Sequence, residues 1–510
     1  AYDFVDFLAS CKQHYWQILP LTTTSYGDSP YQSFSARAGN PNFIDFAELI
    51  EAGYLEQRDI DGVYLGSDPS NVDYGAIFGG RRQILHRAAE RFAADKPADF
   101  DDFIQANEDW LIPYCEFMTV KEECGLKAFW EWPAELRTRG EASAKVCADH
   151  PARMLYHQMT QYFFDRQWSR LKAYANERDI LIIGDLPIYV SRDSVEMWAT
   201  PELFKIDAAG NPVSVAGTPP DQFSATGQYW GNPIYDWDAM EADGFSWWEG
   251  RIRAALDMYD VIRLDHFRGF EAYWEVPFSS PDSSYGSWTQ GPGLKLFKTL
   301  EEKLGTLPII AEDLGFLPPG VIDMRDNSGF PGMSILQFGF NPDANSDYLP
   351  HRVAENRVYY TGTHDNAPIM QWFAEASESE RRFAEQYLAL NAAEGINWGM
   401  IRGGMCSPAG IFIAQMQDVL GLSAEGRINT PGVASGNWQW RMLPHECSAA
   451  LAEKLREYTR MYGRLHDCGE INFEHNTVVP REYCGKNADT QKRYKLLVRA
   501  AAEYLDSVDD

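Results

Sequence analysis

Several features that mark membrane, secreted or metal-binding proteins are missing from this sequence. No run approaches the roughly 20 consecutive apolar residues of a membrane-spanning helix. No signal peptide is visible at the N-terminus. The eight cysteines are scattered without a C-x-x-C pair, as in proteins with reduced thiols rather than a disulfide framework or a zinc site. We therefore expect a cytoplasmic protein that does not act on membranes.

Basic residues are also in short supply. Lys and Arg number 45 against 74 Asp and Glu, which gives a formal net charge of −29. A surface this acidic repels phosphate backbones, so nucleic acid is not an expected partner. The motifs H-x-H, H-E-x-x-H and D-x-D-x-D-G are absent. We therefore expect neither a catalytic metal nor an organic cofactor.

Aromatic residues, by contrast, are abundant. They make up 14% of the chain and include 16 Trp and 26 Tyr, while 45% hydrophobic and 23% charged residues are ordinary for a globular protein. Many aromatic side chains are expected in the core. Their ring faces also pack well on the apolar C–H faces of pyranoses, so the composition is compatible with a sugar-binding cleft.

Short apolar runs that end in polar residues recur along the chain. They are rich in β-branched and aromatic residues, as buried parallel strands are, and helical patterns such as 163–177 and 293–305 lie between them. This alternation predicts an α/β fold, and seven such runs favour a (β/α)8 barrel of the TIM type over an open sheet. The predicted strands are 15–21, 180–190, 260–267, 307–315, 334–340, 357–365 and, less clearly, 410–420.

Two long gaps interrupt the strand–helix rhythm. Residues 46–155 carry helical patterns, and residues 193–245 are rich in Pro, Gly and aromatics, so we expect a mainly helical insertion and a loop-rich insertion that covers the cleft. The segments 1–45, 156–192 and 246–464 are assigned to the barrel. Apolar residues at helical spacing predict an amphipathic helix in the tail 465–510. We expect no separate C-terminal β-sandwich.

Four of the predicted strands end in acidic residues. Side chains alternate along a strand, so Arg263 lies on the same face as Asp265 and favours its ionised form, as a nucleophile requires. A partly desolvated glutamate with a carboxylate neighbour gains a raised pKa and suits a general acid. The acidic residues are Asp185, Asp265, Glu312 with Asp313, and Asp365.

Each carboxylate taken alone has a plainer explanation. One acidic residue at a strand end is more often a helix cap or a structural ion pair than a catalyst, and this explanation is kept for Asp185 and Asp313. Carboxylates beside His364 are also compatible with a divalent cation, which we rank lower. Four acidic strand ends around one rim favour glycoside chemistry, in which one carboxylate attacks the anomeric carbon and another protonates the leaving oxygen.

At these residues the sequence resembles the amylomaltase family, the 4-α-glucanotransferases of glycoside hydrolase family 77 in the α-amylase superfamily. The resemblance extends from residue 1 to about residue 464, and eight motifs in order make it specific. They are YWQILPLTTTSYGDSPYQSFSARAGNP, IIGDLPIYVSRDS, GTPPDQFSATGQYWGNPIYDW, IRLDHFRGFEAYWEVP, LPIIAEDLGFL, GFPGMSILQFGF, YYTGTHDN and RINTPGVASGNWQWRM.

The resemblance implies a role for each matching residue. Asp265 matches the family's nucleophile, Glu312 its acid/base, and Asp365 the third carboxylate, which binds the 2- and 3-hydroxyls of the sugar. It also implies a set of substrate-binding residues. These are Arg263, His364, Asp185, Tyr31, Ser29, Asp221, Gln228, Trp230, Lys295, Phe338 and Asn437.

The function that the resemblance implies is a retaining 4-α-glucanotransferase. Such an enzyme moves α-1,4-glucan segments between maltooligosaccharides through a covalent glycosyl-aspartate. An α-1,4-glucan hydrolase of the same superfamily and a non-catalytic glucan-binding protein are the alternatives. We expect a monomer or homodimer. Two departures stand out, because the family has a further strand before the segment that matches residue 1 and because the tail after 464 matches no family motif.

Overall fold

The computed structural model describes residues 1–465 apart from 26, 221–223, 316, 343–344 and 434, together with the backbone of 471–472 and 477–478. Seven parallel strands form its central sheet, and their order in space follows their order in the chain. Numbered with all strands along the chain, they are β1 (Tyr15–Gln17), β2 (Leu181–Leu186), β5 (Val261–Leu264), β8 (Ile309–Ala311), β9 (Gly332–Ile335), β10 (Arg357–Tyr360) and β11 (Ile411–Ile413).

All seven predicted strands therefore occur, but each is shorter than its apolar run. All four residues of β5 and all four of β9 are buried, as expected for strands covered on both faces. The run 334–340 is only partly a strand, since Leu336–Gly339 forms a 3-10 helix. The second half of the run 410–420 is likewise helical, at Met416–Leu420.

The sheet curves into a nearly closed barrel. Among the described strands, β1 and β11 are its two ends and do not pair with each other. A cavity of about 540 Å³ lies between them, lined by residues of both strands and by Arg263 and His364. The predicted fold class, an α/β barrel of the TIM type, is confirmed by this arrangement and by the solved relative described below.

Helices cover the outside of the barrel. The predicted helix 293–305 is α13, and the predicted helix 163–177 is the second half of α8, which begins earlier, at Pro151. The helices of this layer are α1 (Tyr2–Ser10), α8 (Pro151–Asn176), α11 (Ser246–Met258), α13 (Leu294–Leu304), α14 (Pro319–Ser328), α15 (Ile369–Glu375), α16 (Glu378–Leu388), α17 (Ile396–Met405), α18 (Met416–Leu420) and α19 (Ala449–Met461).

The segment between β1 and α8 is rich in helices. Asp45 and Asp73 begin two of them, because their side chains accept hydrogen bonds from the backbone N–H groups of Ala47 and Ala76. Its helices are α2 (Phe46–Glu51), α3 (Gln57–Ile60), α4 (Tyr74–Ala94), α5 (Phe100–Ala106), α6 (Glu108–Glu123) and α7 (Glu141–Asp149).

A second, antiparallel sheet lies beside the barrel, in the order β4-β3-β6-β7. Its strands are β3 (Ser214–Thr218), β4 (Gln228–Pro233), β6 (Ala272–Pro277) and β7 (Ser287–Gln290), and the short helices α9 (Val195–Ala199), α10 (Trp237–Ala242) and α12 (Arg268–Glu271) adjoin it. The predicted loop-rich insertion thus contains two strands. Residues 272–290, which the sequence analysis places in the barrel, supply the other two.

Little of the tail is described. β12 (Ile471–Asn472) and β13 (Thr477–Val478) form an antiparallel pair. The amphipathic helix predicted within 465–510 lies outside the described residues. None of the helices in the described ranges combines the length and the hydropathy of a membrane span.

Candidate active site

Two carboxylates leave adjacent barrel strands side by side. Leu264 at the end of β5 pairs with Ala311 at the end of β8, so the next residues, Asp265 and Glu312, emerge together at the carboxyl-terminal rim. Parallel strands lie about 4.8 Å apart, which sets the spacing of the two backbones. The N–H of Glu312 donates to the carbonyl of Leu264 at 3.1 Å, and the N–H of Asp265 donates to that of Leu186 at 3.0 Å. The barrel itself therefore fixes both positions.

Asp265 is held by a buried arginine. The Nη1 atom of Arg263 donates to Asp265 Oδ1 at 2.9 Å and to Asp185 Oδ1 and Oδ2 at 2.8 and 2.7 Å. Burial opposes the charge of Arg263, but the two carboxylates outweigh it and hold the pKa of the guanidinium well above its ordinary value. The side chain of Asp265 is 27% exposed against 4% for Arg263. A fixed positive charge thus stabilises a carboxylate that solvent and substrate can still reach.

Glu312 has the opposite environment. Burial raises the pKa of its carboxyl group from 4.5 to about 8, and Asp265 adds to the rise, while Arg263 and two backbone donors oppose it. Those donors are the N–H of His266, at 2.8 Å from Oε2, and the N–H of Leu314, at 3.2 Å from Oε1. Glu312 therefore carries a proton at neutral pH and is oriented by the backbone of both strands.

Asp313 has a structural role, because its side chain binds residues of the barrel rather than the groups around Glu312. Its carboxylate accepts hydrogen bonds from Arg325 and Arg357, each at 2.7 Å, and from the N–H of Met333 at 2.7 Å. A Cβ atom at Gly332 would lie 2.3 Å from Nη1 of Arg357 and 2.5 Å from Asp313, so only glycine leaves room for this pair. The plainer explanation kept for Asp313, a structural ion pair, agrees with these contacts.

The end of β10 brings a third carboxylate to the same rim. Asp365 is half exposed, and its Oδ2 atom lies 3.4 Å from Nε2 of His364. Its Oδ1 atom accepts a hydrogen bond from Nδ2 of Asn429 at 2.6 Å. Asp365 therefore presents an open carboxylate whose position is set from two sides.

A row of rings connects this rim to the loop after β1. The ring of Tyr31 stacks on His364 with centroids 5.1 Å apart, and Trp438 lies 5.9 Å from Tyr31 and 5.7 Å from His364. The hydroxyl of Tyr31 donates to Asp185 Oδ2 at 2.7 Å. Burial raises the pKa of Tyr31 well above its ordinary value, so the hydroxyl remains a donor. The chain Tyr31–Asp185–Arg263 thus reaches Asp265 through direct hydrogen bonds.

The second sheet reaches the same centre. The ring of Trp230 on β4 meets His266 edge-on at 4.9 Å, one residue from Asp265. Its indole N–H donates to Oε1 of Gln228 at 3.2 Å. On the opposite side, Oγ of Ser29 accepts a hydrogen bond from the N–H of Tyr31 at 3.3 Å. The structure therefore brings Trp230 and Gln228 to the ring of His266, the residue after Asp265, and Ser29 to the backbone of Tyr31.

The remaining predicted residues lie less directly at the centre. Lys295, in the first turn of α13, is paired with Glu241 of α10. Phe338 is 45% exposed in the 3-10 turn after β9. Asn437 braces its own loop, since it accepts from the N–H of Thr430 and donates to the carbonyl of Val433. Asp221 lies outside the described residues.

Sequence reasoning missed Asn429 and His266. Asn429 belongs to the RINTPG motif, but its bond to Asp365 spans 64 residues, which no local pattern shows. His266 adopts a positive φ of 50°, which places its N–H on Glu312 and its ring against Trp230. Burial lowers the pKa of His266 to about 4, so the ring is neutral. The feature of the sequence that could have indicated a role for His266 was its position directly after Asp265.

The comparisons with known proteins agree with this geometry. A sequence model of the 4-α-glucanotransferase family matches residues 1–446. The 4-α-glucanotransferase of Streptococcus pneumoniae serotype 4 is 49% identical over 471 residues, which cover 92% of this chain and 93% of that protein. The 4-α-glucanotransferase of Thermus thermophilus is 43% identical, with 91% and 94% covered.

A solved structure supports the same assignment. The amylomaltase from Streptococcus agalactiae in complex with acarbose superimposes with a TM-score of 0.89 at 44% identity, covering 91% of this chain and 95% of that one. The family predicted from eight motifs is thereby confirmed, and glucan transfer is favoured over the hydrolase alternative. The chain therefore belongs to the 4-α-glucanotransferases of glycoside hydrolase family 77.

Proposed function

We propose that Asp265, Glu312 and Asp365 carry the transfer reaction, with Asp265 as nucleophile, Glu312 as acid and base, and Asp365 as a ligand of sugar hydroxyls. The observation that carries this proposal is the contrast between two neighbouring groups. The positively charged guanidinium of Arg263 donates a hydrogen bond to Oδ1 of Asp265 at 2.9 Å, whereas burial raises the pKa of Glu312 to about 8. One carboxylate is thus ready to attack while its neighbour holds a proton.

The first half of the reaction breaks an α-1,4 bond. An oxygen of Asp265 attacks C1 of the donor glucose, and the bond from C1 to the departing oxygen breaks as Glu312 transfers its proton to that oxygen. The product is a glycosyl ester on Asp265 and a shortened glucan with a free 4-hydroxyl. The two carboxylates emerge from neighbouring strands. A retaining mechanism needs about 5–5.5 Å between them.

The second half remakes the bond. Glu312, now ionised, removes the proton from the 4-hydroxyl of an acceptor glucan, whose oxygen attacks C1 while the ester to Asp265 breaks. Two inversions at C1 restore the α configuration. The positive charge that develops at C1 is balanced by the carboxylates, and Asp365 binds the 2- and 3-hydroxyls of the same sugar.

Transfer instead of hydrolysis requires that a bound sugar reach C1 before water does. Trp230 and Gln228 on β4 supply a ring face and a polar group next to His266 and hence next to the nucleophile. We propose that β4 forms the acceptor wall, and we keep Asp221 as a proposed substrate-binding residue. Replacing Trp230 with alanine should raise the share of hydrolysis, measured as net reducing ends per glucose released from maltotriose.

The substrates that we propose are maltooligosaccharides and longer α-1,4-glucans. The segment 46–155 is proposed as a mainly helical insertion and the segment 193–245 as a loop-rich insertion that covers the cleft. We further propose a cytoplasmic enzyme that acts as a monomer or homodimer, without nucleic acid or membrane as a partner.

Maltotriose tests the proposed activity. The enzyme should convert it to glucose and a ladder of longer maltooligosaccharides with almost no net gain of reducing ends, because each bond broken is remade. The variant Asp265→Asn should lose this activity and still bind maltotriose. Accumulation of only glucose and maltose would instead indicate a hydrolase, and an unchanged rate in the variant would remove Asp265 from its role.

A further inference from the structure

The outer face of the second sheet carries a row of aromatic residues that the transfer chemistry does not use. Directly opposed residues of antiparallel strands share a face. Tyr229 on β4 opposes Gly217 on β3, Gly217 opposes Trp274 on β6, and Trp274 opposes Trp288 on β7. The neighbouring side chains of Tyr229 and Trp230 diverge beside a register shift between β3 and β4, since Tyr229 donates to the carbonyl of Phe278 while Trp230 contacts His266. The row therefore crosses all four strands.

A 3-10 turn rests on the middle of this row. The hydroxyl of Ser283 donates to the carbonyl of Thr218, and the indole N–H of Trp274 donates to the carbonyl of Ser283. The turn fills the space over Gly217, where a Cβ atom would lie 2.7 Å from Oγ of Ser283. It raises Tyr285 above the sheet, and Tyr285 is 63% exposed. The row thus has one exposed ring at each end and one in the middle.

The exposed rings are held in place. Tyr229 is 40% exposed, and its hydroxyl donates to the carbonyl of Phe278 at 3.1 Å. Trp288 is 42% exposed, packs edge-on against Trp274, and has the guanidinium of Arg268 over one ring face at 3.8 Å. Rings fixed in this way lose little entropy when a ligand lies on them. Exposed apolar patches with polar surroundings mark interaction sites more often than single exposed rings do.

We propose that Tyr229, Tyr285 and Trp288 form an outer platform that binds a distant stretch of a long α-glucan whose end is in the active site. The proposal rests on the proposed function and deepens it, because it makes long glucans the preferred substrates. Three strand spacings of about 4.8 Å place the two ends of the row about 14 Å apart, enough for several glucose units in a line.

Continuity with the cleft supports a glucan over other occupants. β4 is the edge strand of its sheet, so a chain leaving Trp230 passes only one strand to reach Tyr229. The flat rings match the apolar C–H faces of glucose, and the guanidinium of Arg192 lies over the ring of Phe278, whose carbonyl accepts from Tyr229. A neutral polysaccharide also avoids the repulsion that a net charge of −29 imposes on anionic partners.

The platform acts by holding one part of a long chain while another part reacts. A second contact on the same molecule raises the effective concentration of the first, which lowers the KM for long substrates without changing the chemical step. A substrate as short as maltotriose fills only the cleft and gains nothing. Dependence on chain length is therefore the property that distinguishes the platform from the active site.

The test compares the double variant Tyr285→Ala/Trp288→Ala with wild type and with Tyr2→Ala. Tyr2 on α1 is 38% exposed, so the control removes a similar ring from another surface. Circular dichroism checks that all three proteins fold. The initial rate of transfer is measured with maltotriose and with long-chain amylose as donor, and retention is measured by electrophoresis in gels that contain amylose.

The double variant should keep the wild-type rate on maltotriose, show at least about a fivefold higher KM for amylose at unchanged kcat, and lose retention in the gel. Tyr2→Ala should match wild type in all three measurements. An unchanged KM for amylose or unchanged retention in the double variant would overturn the platform. Failure of wild type to transfer maltotriose would instead reject the proposed function.

Discussion

Raising the pH tests the acid role of Glu312, because the first half of the reaction needs its proton. Burial raises the pKa of Glu312 to about 8. About nine in ten of these carboxyl groups are then protonated at pH 7 and about one in ten at pH 9. We predict that kcat/KM for maltotriose is level up to about pH 7.5 and falls about tenfold for each pH unit above 8.

The assay measures glucose release from maltotriose at low substrate concentration and constant ionic strength. α-Maltosyl fluoride is the matched donor, because fluoride departs without a proton from an acid, and kcat/KM reports only the first half of the reaction. The alkaline fall should disappear with this donor. Glu312→Gln should lose about 10²–10⁴-fold in kcat/KM on maltotriose and far less on the fluoride.

The same pKa has a consequence for stability. The folded value of about 8 exceeds the ordinary 4.5, so this carboxyl group stabilises the fold fully below about pH 4.5 and has ceased to do so by about pH 8. From pH 5 to pH 7, the free energy of unfolding of wild type should fall by about 2–3 kcal/mol relative to Glu312→Gln. For the about 460 residues that the structure describes, this equals about 2–3 °C in the thermal midpoint, measured by calorimetry.

Three results would show that Glu312 is not an acid with a raised pKa. An alkaline fall centred near pH 5 would mean that burial does not raise the pKa of Glu312. An equal fall with α-maltosyl fluoride would assign the titration to another group. Equal pH dependence of stability in wild type and Glu312→Gln would remove the linkage between this carboxyl group and folding.

Three further substitutions test the supporting contacts. Asn429→Ala should reduce kcat/KM for maltotriose about 10–100-fold, because a hydrogen bond to a charged group contributes about 1.5–3 kcal/mol; an unchanged value would make Asn429 irrelevant to Asp365. Arg263→Lys should reduce kcat at least about tenfold in the same assay, since an ammonium group does not reproduce the planar guanidinium between two carboxylates, and full activity would contradict this. Asp313→Asn should lower the calorimetric midpoint by about 3–5 °C, because breaking a buried ion pair costs about 3–5 kcal/mol, whereas its control Asp326→Asn should barely change it.

The barrel was predictable because its strands are buried on both faces. Runs such as 260–267 and 357–365 contain a core of apolar, β-branched and aromatic residues, as buried parallel strands do. Strand ends were less accurate, and 336–339 turns into a 3-10 helix because an apolar run alone does not distinguish buried strand from buried helix.

The second sheet was not predictable in the same way. β6 and β7 lie within a stretch between barrel elements and mix aromatic with polar residues. The pairing of β6 with β3 depends on tertiary contacts across more than fifty residues, such as Ser214 opposite Pro277. A short stretch of sequence around one strand does not contain the distant strand with which it pairs.

The features of the active site also fall into those that the sequence predicts and those that depend on strand pairing. The carboxylates of Asp265 and Glu312 were visible because charged residues directly follow apolar strands. Their opposite environments were expected from Arg263 beside Asp265 and from the partial desolvation of Glu312, but the bond of Glu312 to the N–H of His266 arises only when β5 and β8 pair. Asn429 was hidden for that reason too, because its role depends on a partner at the end of another strand.

The role of Asp265 as nucleophile is tested most directly by trapping the covalent intermediate. Glu312→Gln lacks the base for the second half of the reaction, so incubation with α-maltosyl fluoride should accumulate a glycosyl ester, which peptide mass spectrometry locates. We predict a maltosyl group on the peptide that contains Asp265, and none when Asp265→Asn is combined with Glu312→Gln. A maltosyl group on another residue, or the release of β-configured product without any adduct, would contradict the account.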